Sequence, residues 1–148
     1  MWGKCWIPFS QNSRKPPDLT LMKFHHVGVA CRNIEEEIEK ISRIHSIATQ
    51  TPILFDPLQD AQLCLLTLAD GVNIELVSGK QVELFVKKGI HYYHLCFEVD
   101  DLDAEVARLE EEGAHLISPP KPAILFNNRR VAFLHAPYGI VELLASDR

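Results

Sequence analysis

The chain has 148 residues, 47% of them hydrophobic and 24% charged, with a net charge of −5 at pH 7. That suffices for one ordinary domain with its own core. The acidic balance argues against a nucleic-acid partner, and no apolar run reaches the roughly 18 residues that a membrane-spanning helix needs.

Residues 1–21 read as an N-terminal extension. It carries Trp2, Trp6 and Phe9, then the polar run Gln11–Lys15 and the pair Pro16–Pro17. It lacks the continuous apolar stretch of a signal peptide. The expectation is that its aromatics pack on the domain or on a partner chain. From residue 22 onward the sequence contains itself twice. A shift of 68 residues brings Phe24–Val29 onto Tyr92–Phe97, Asn33-Ile34 onto Asp101-Leu102, Leu66 onto Leu134 and Gly71 onto Gly139. One deletion in the second copy then aligns Ile74-Glu75-Leu76 with Val141-Glu142-Leu143. Residue class, more than identity, carries the repeat.

Each copy reads as βαβββ, in an α+β fold of two tandem modules. Module one is 22–78, a linker covers 79–90, module two is 91–146, and the whole forms a single domain over 22–147. Phe24–Cys31 alternates as a strand. Asn33 reads as a helix N-cap with Glu36 three residues on, and Ile34, Ile38 and Ile41 form one apolar stripe. Strands are expected over 46–53, 62–68 and 72–78, the last two separated by the turn Ala69-Asp70-Gly71. Val82, Leu84, Phe85 and Val86 suggest a short helix in the linker. In module two the strand is Tyr92–Val99. Asp101 caps a helix striped by Leu102, Val106 and Leu109, and Gly113 ends it. Strands follow at 114–118, 129–135 and 140–145, with turns at Asn127-Asn128 and Pro137-Tyr138-Gly139. Pro119–Pro122 reads as a rigid loop or the guard of an edge strand.

Alternation assigns the faces. Val27, Val29 and Cys31, and Leu95, Phe97 and Val99, should meet the helices, which leaves His26 and His94 on the opposite face. Glu75 and Glu142 are likewise opposed to their apolar neighbours. Two equivalent modules placed edge to edge would curve the helix-free faces around a shared cleft and bring these four side chains together. A buried carboxylate without a partner is costly, and a cation would offset that. Two imidazoles and two carboxylates suit Ni, Co, Mn, Zn or Fe as one divalent metal ion, with room for water or substrate oxygens. Each residue taken alone is more simply a satisfied strand histidine or a solvated glutamate; the order His, Glu, His, Glu at repeat-equivalent positions favours the metal.

Three further residues are candidates for the substrate. By alternation Tyr92 shares the His94 face. His135 aligns with Thr67 and would reach the cleft mouth, or lie on the surface near a turn. Arg130, with Arg129, would receive a phosphate or carboxylate, or serve hairpin solubility. His25, His45, His91 and His115 read as structural or surface residues. Cys31, Cys64 and Cys96 lie in strand-like stretches without CxxC spacing and read as reduced, half-buried hydrophobes, which points to the cytoplasm.

The segments Phe24–Ala30, Asn73–Val77, Tyr93–Asp101 and Val131–Leu143 resemble the vicinal oxygen chelate superfamily, which includes glyoxalase I, methylmalonyl-CoA epimerase, extradiol dioxygenases and bleomycin-resistance proteins. The last two segments are similar to the epimerase branch, and the His/Glu/His/Glu set to glyoxalase I. The resemblance covers about residues 22 to 146. It implies a metal-dependent isomerase, epimerase or lyase working through a metal-bound enolate on a small carbonyl or thioester substrate, with Glu142 as the foremost candidate base and Glu75 second. The alternative is a metal-free binding protein of the antibiotic-sequestering kind. It also implies a homodimer, with the cleft completed in one chain or across two. The epimerase branch carries a further catalytic carboxylate on the third strand of its first module, whereas Gln62–Leu68 here has none.

Overall fold

The computed structural model describes residues 21–147, so the expectation for the aromatic extension lies almost wholly outside the described residues. Along the chain run β1 (Lys23–Ala30), α1 (Ile34–Ser42), β2 (Ile47–Gln50), β3 (Leu54–Asp56), β4 (Ala61–Leu68) and β5 (Asn73–Gly79). A 3-10 turn (Lys80–Val82) and the short α2 (Glu83–Lys87) then lead to β6 (Tyr92–Val99), α3 (Leu102–Glu111) and β7 (His115–Ala123). A second 3-10 turn (Ile124–Phe126) precedes β8 (Arg129–Ala136) and β9 (Gly139–Ala145). All strands join one open sheet in the order β2-β4-β5-β1-β6-β9-β8-β7, with β3 also pairing β4.

The order is a palindrome of the repeat. In each module the opening strand pairs parallel with the closing one, β1 with β5 and β6 with β9. The closing strand pairs antiparallel with its predecessor. The two modules meet where β1 and β6 pair antiparallel at the centre.

Both helices begin as their caps require. Asn33 Oδ1 accepts from Glu36 N–H at 2.9 Å, and Asp101 Oδ1 from Ala104 N–H at 3.1 Å. Gly113 ends α3 at φ 96°, a left-handed backbone that glycine adopts without a Cβ clash. Helix α1 packs Ile34, Ile38 and Ile41 on Val29, Cys64, Leu66 and Leu76. Helix α3 packs Leu102, Val106 and Leu109 on Val99, Leu134, Val141 and Leu143. Each fully buried leucine contributes about 1.5–3 kcal/mol of transfer free energy. These layers lie on one side of the sheet and leave the other side to form the cleft.

The strand expected at 46–53 is broken into β2 and β3. Pro52 has no N–H for the ladder, and Thr51 turns its hydroxyl inward to accept Leu65 N–H at 2.9 Å. The strand expected at 114–118 runs on to Ala123, taking in Pro119, Pro120 and Pro122. It is tolerated because β7 is an edge, with its register shifting between Leu116 and Lys121. Two bulges disturb the assignment of faces. His25 is an extra residue between the pairs Phe24–Phe97 and His26–Cys96, and Tyr93 is skipped between Gly28–His94 and Val29–Tyr92. Phe24 therefore leaves the His26 face and packs edge-on against Phe97, with ring centroids 5.9 Å apart.

Candidate metal centre

The four central strands β1, β5, β6 and β9 each carry one member of the cluster into the cleft. His26, Glu75, His94 and Glu142 are all at most 4% exposed. Their donor atoms lie within 4.8 Å of one another, all within one chain. His26 Nε2 is 2.9 Å from Glu75 Oε2 and 3.2 Å from Glu142 Oε2. His94 Nε2 is 3.2 Å from Glu75 Oε2 and 2.9 Å from Glu142 Oε2. The two Nε2 atoms are 3.2 Å apart. Around an octahedral ion with bonds of about 2.1 Å, neighbouring donors stand about 3.0 Å apart and opposite donors about 4.2 Å. The five measured spacings match neighbouring donors, with the carboxylates free to oppose each other. The residues therefore fit a divalent ion.

Electrostatics support the same reading. Burial pushes both histidines toward neutrality, but Glu75 and Glu142 override it and hold His26 well above its ordinary 6.5 and His94 above it too. Burial raises Glu75 and Glu142, and the imidazoles bring both below the usual carboxylate range. The two carboxylates also repel each other, which opposes the ionisation that the imidazoles favour.

Residues around the cluster fix it in place. His25 Nδ1 lies 2.8 Å from His26 Nδ1, so the proton shared there leaves His26 Nε2 aimed into the cluster. Burial holds His25 below 6.5. Asn73 Nδ2 donates to the His25 carbonyl at 2.9 Å. Phe126 stacks on His26 at 5.4 Å and 18°. Gly28 lies under the His94 ring, where a Cβ would come within 2.0 Å of Cε1. Tyr93 and Phe133 meet the same ring edge-on at 4.5 and 5.4 Å. Together Tyr93, Phe85, Ile117, Phe133 and Ile140, with Gln81 and Ser118, wall a cavity of about 300 Å³ beside His94.

The other sequence candidates separate. Tyr92 is 78% exposed and lines, with His94 and Tyr138, a separate cavity of about 190 Å³, whereas the ring contact with His94 is made by Tyr93, which alternation alone does not foresee. Arg130 lies on the helix side, paired with Asp103 of α3 at 2.9 Å, and so is not at the cleft. Arg129 faces the cleft side but is committed to Glu98 at 2.6 Å and to the Ala145 carbonyl at 2.7 Å. His135 is exposed at the rim, opposite Ile140 in the β8–β9 pair. His25, read as structural or surface, proves to touch a cluster ligand; the His25-His26 doublet was the available signal. Nothing in the sequence marks Phe126, which arrives from the 3-10 turn, or Tyr93, which depends on a bulge.

Comparison with known proteins agrees with this fold. Residues 25–133 match the Glyoxalase/Bleomycin resistance protein/Dioxygenase superfamily. The mitochondrial methylmalonyl-CoA epimerase of Dictyostelium discoideum is 28% identical over 121 residues, covering 76% of this chain and 70% of that protein. An ethylmalonyl-CoA/methylmalonyl-CoA epimerase of Cereibacter sphaeroides is also 28% identical over 121 residues, covering 76% of this chain and 87% of its own. The crystal structure of methylmalonyl-CoA epimerase from Mycobacterium tuberculosis superposes with a TM-score of 0.74 at 22% identity, over 92% of this chain and 96% of that one.

Proposed function

The chain belongs to the Glyoxalase/Bleomycin resistance protein/Dioxygenase superfamily, and on that footing we propose that His26, Glu75, His94 and Glu142 hold one divalent metal ion in an isomerase or epimerase that moves a proton next to the carbonyl of a thioester. The observation that carries this reading is the spacing of the donors, 2.9–3.2 Å across five pairs in a site almost closed to water. When bound, the ion supplies Lewis acidity toward a carbonyl oxygen, a contribution of several kcal/mol.

The protein's own groups do the rest. His25 and Phe126 set the His26 ring, and Gly28, Tyr93 and Phe133 set the His94 ring. Glu142 takes the proton from the carbon beside the carbonyl, leaving an enolate, the role that the resemblance to the superfamily implies for it. Glu75 stands on the other side of the histidine pair and is the second proton carrier. β4 presents Leu63, Leu65 and Thr67 beside β5 and brings no further carboxylate, so these two glutamates carry the proton chemistry. A lyase reaction on a related carbonyl compound would use the same groups. The relatives named as epimerases support a thioester substrate.

The alternative, a metal-free binding module, would keep two ionised carboxylates 95–98% out of water against histidines alone, which is the costlier use of this cluster. A homodimer is part of the proposal; Phe24, Tyr92, Leu95 and Tyr138 leave apolar surface exposed. Elemental analysis of protein purified without chelator, with deuterium exchange into acyl-CoA thioesters, is the direct test. One divalent ion per chain and exchange that falls about 10²–10⁴-fold in Glu142→Gln are expected. Protein that takes up no ion would refute the reading.

A further inference from the structure

The cavity beside His94 has no assigned occupant, and its chemistry is specific. Phe85, Tyr93, Ile117, Phe133 and Ile140 give it a largely apolar wall; Gln81 and Ser118 are its polar side chains, and among the described residues no lysine, arginine or histidine lines it. An anionic group placed there would lose water without gaining a cation, close to two carboxylates. The cavity nonetheless abuts the cluster. Two of its walls, Tyr93 and Phe133, touch the His94 ring, and Ile140 stands two residues before Glu142 on the same face of β9. The opposite approach is covered by Phe126 stacked on His26. Its volume, about 300 Å³, is about ten times the roughly 30 Å³ of a water-sized group such as a methyl.

From this we infer that the cavity is a side-chain subsite selecting substrates whose substituent beside the carbonyl is an uncharged alkyl group longer than methyl. The inference deepens the proposed thioester chemistry and rests on it. Ile117 on the edge strand β7 is the accessible determinant, because it is 54% exposed and walls the cavity without supporting the core.

The test is calorimetric titration of methylmalonate, ethylmalonate and butylmalonate into the full chain, with Co²⁺ supplied and with chelator present. Burial of each added methylene, about 0.8 kcal/mol, predicts a Kd about fourfold lower per carbon and about sixtyfold lower for butyl than for methyl. The gradient should appear in both conditions, since the cavity walls are protein; the ion sets only the absolute affinity. In Ile117→Ser, butylmalonate should bind about fivefold or more weakly while methylmalonate stays within twofold, with an unchanged melting temperature. Equal constants, tightest binding of methylmalonate, no binding of any of the three, or an equal loss for both ligands in Ile117→Ser would overturn the inference. The same gradient with absolute constants that Co²⁺ leaves unchanged would support the subsite while refuting the metal-dependent function.

Discussion

At the scale of single residues, the cluster depends on a glycine that does no chemistry. Gly28 pairs with His94 across the β1–β6 centre, and the imidazole lies where a Cβ would stand, 2.0–2.5 Å from three ring atoms. The ring is the far end of a side chain, so it can move, but moving it withdraws Nε2 from the other three donors. Gly28→Ala is expected to fold with a loss of about 1–3 kcal/mol, as overpacked sites do, and to bind the ion far more weakly. Metal stoichiometry after dialysis, beside a thermal melt, checks both effects; full occupancy in Gly28→Ala would show that the His94 position tolerates the shift. The four donors were legible in the sequence because the repeat pairs them, His26 with His94 and Glu75 with Glu142. Tyr93 was not, because strict alternation gives its place to Tyr92 and a one-residue bulge reverses that assignment.

At the scale of the elements, strand alternation also decides the cysteines. Cys31 and Cys64 fall on the helix-covered side, and Cys96 falls on the cleft side beside His26. All three are free and buried. Burial pushes the thiols of Cys31 and Cys96 up to about 12 and raises Cys64 as well. At pH 8 the thiolate, the reactive form, is then scarce. Iodoacetamide on the native protein should leave these three unlabelled over an hour and modify them once guanidinium is added, as mass spectrometry of peptides would show. Rapid native labelling of Cys96 would mean that the cleft opens more widely than its packing suggests. The helices and most strands were readable from caps and period. The exceptions have local causes: Pro52 splits a strand that alternation made continuous, and the proline-rich β7 survives only because it is an edge, which no single module's sequence specifies.

At the scale of the whole molecule, the ion would join the two modules, because each contributes one histidine and one glutamate. Among the described residues the only strand pairing between the modules is β1 with β6, so ligation across that seam should stabilise the fold as a unit. Saturation at a thousandfold over Kd adds about 4 kcal/mol, and at about 2–4 °C per kcal/mol for a chain of this size the melting temperature should rise by roughly 10 °C. The rise should also depend on pH, with a definite sign. Without metal, the histidines sit above 6.5 and the glutamates below 4.5. The histidine contribution is therefore complete below pH 6.5 and fades as pH climbs through the raised values. The glutamate contribution is complete above pH 4.5 and fades as pH falls through the lowered ones. The metal-free protein is thus best served by its cluster between about pH 4.5 and 6.5. An ion must displace the protons of the histidines, so its affinity grows with pH and binding releases protons. Melts with and without Co²⁺ should differ more at pH 8 than at pH 6, and titration in buffers of different ionisation enthalpy should report proton release near neutral pH. A metal-induced shift that is equal at the two pH values, with no proton released, would mean that the ion binds away from His26 and His94.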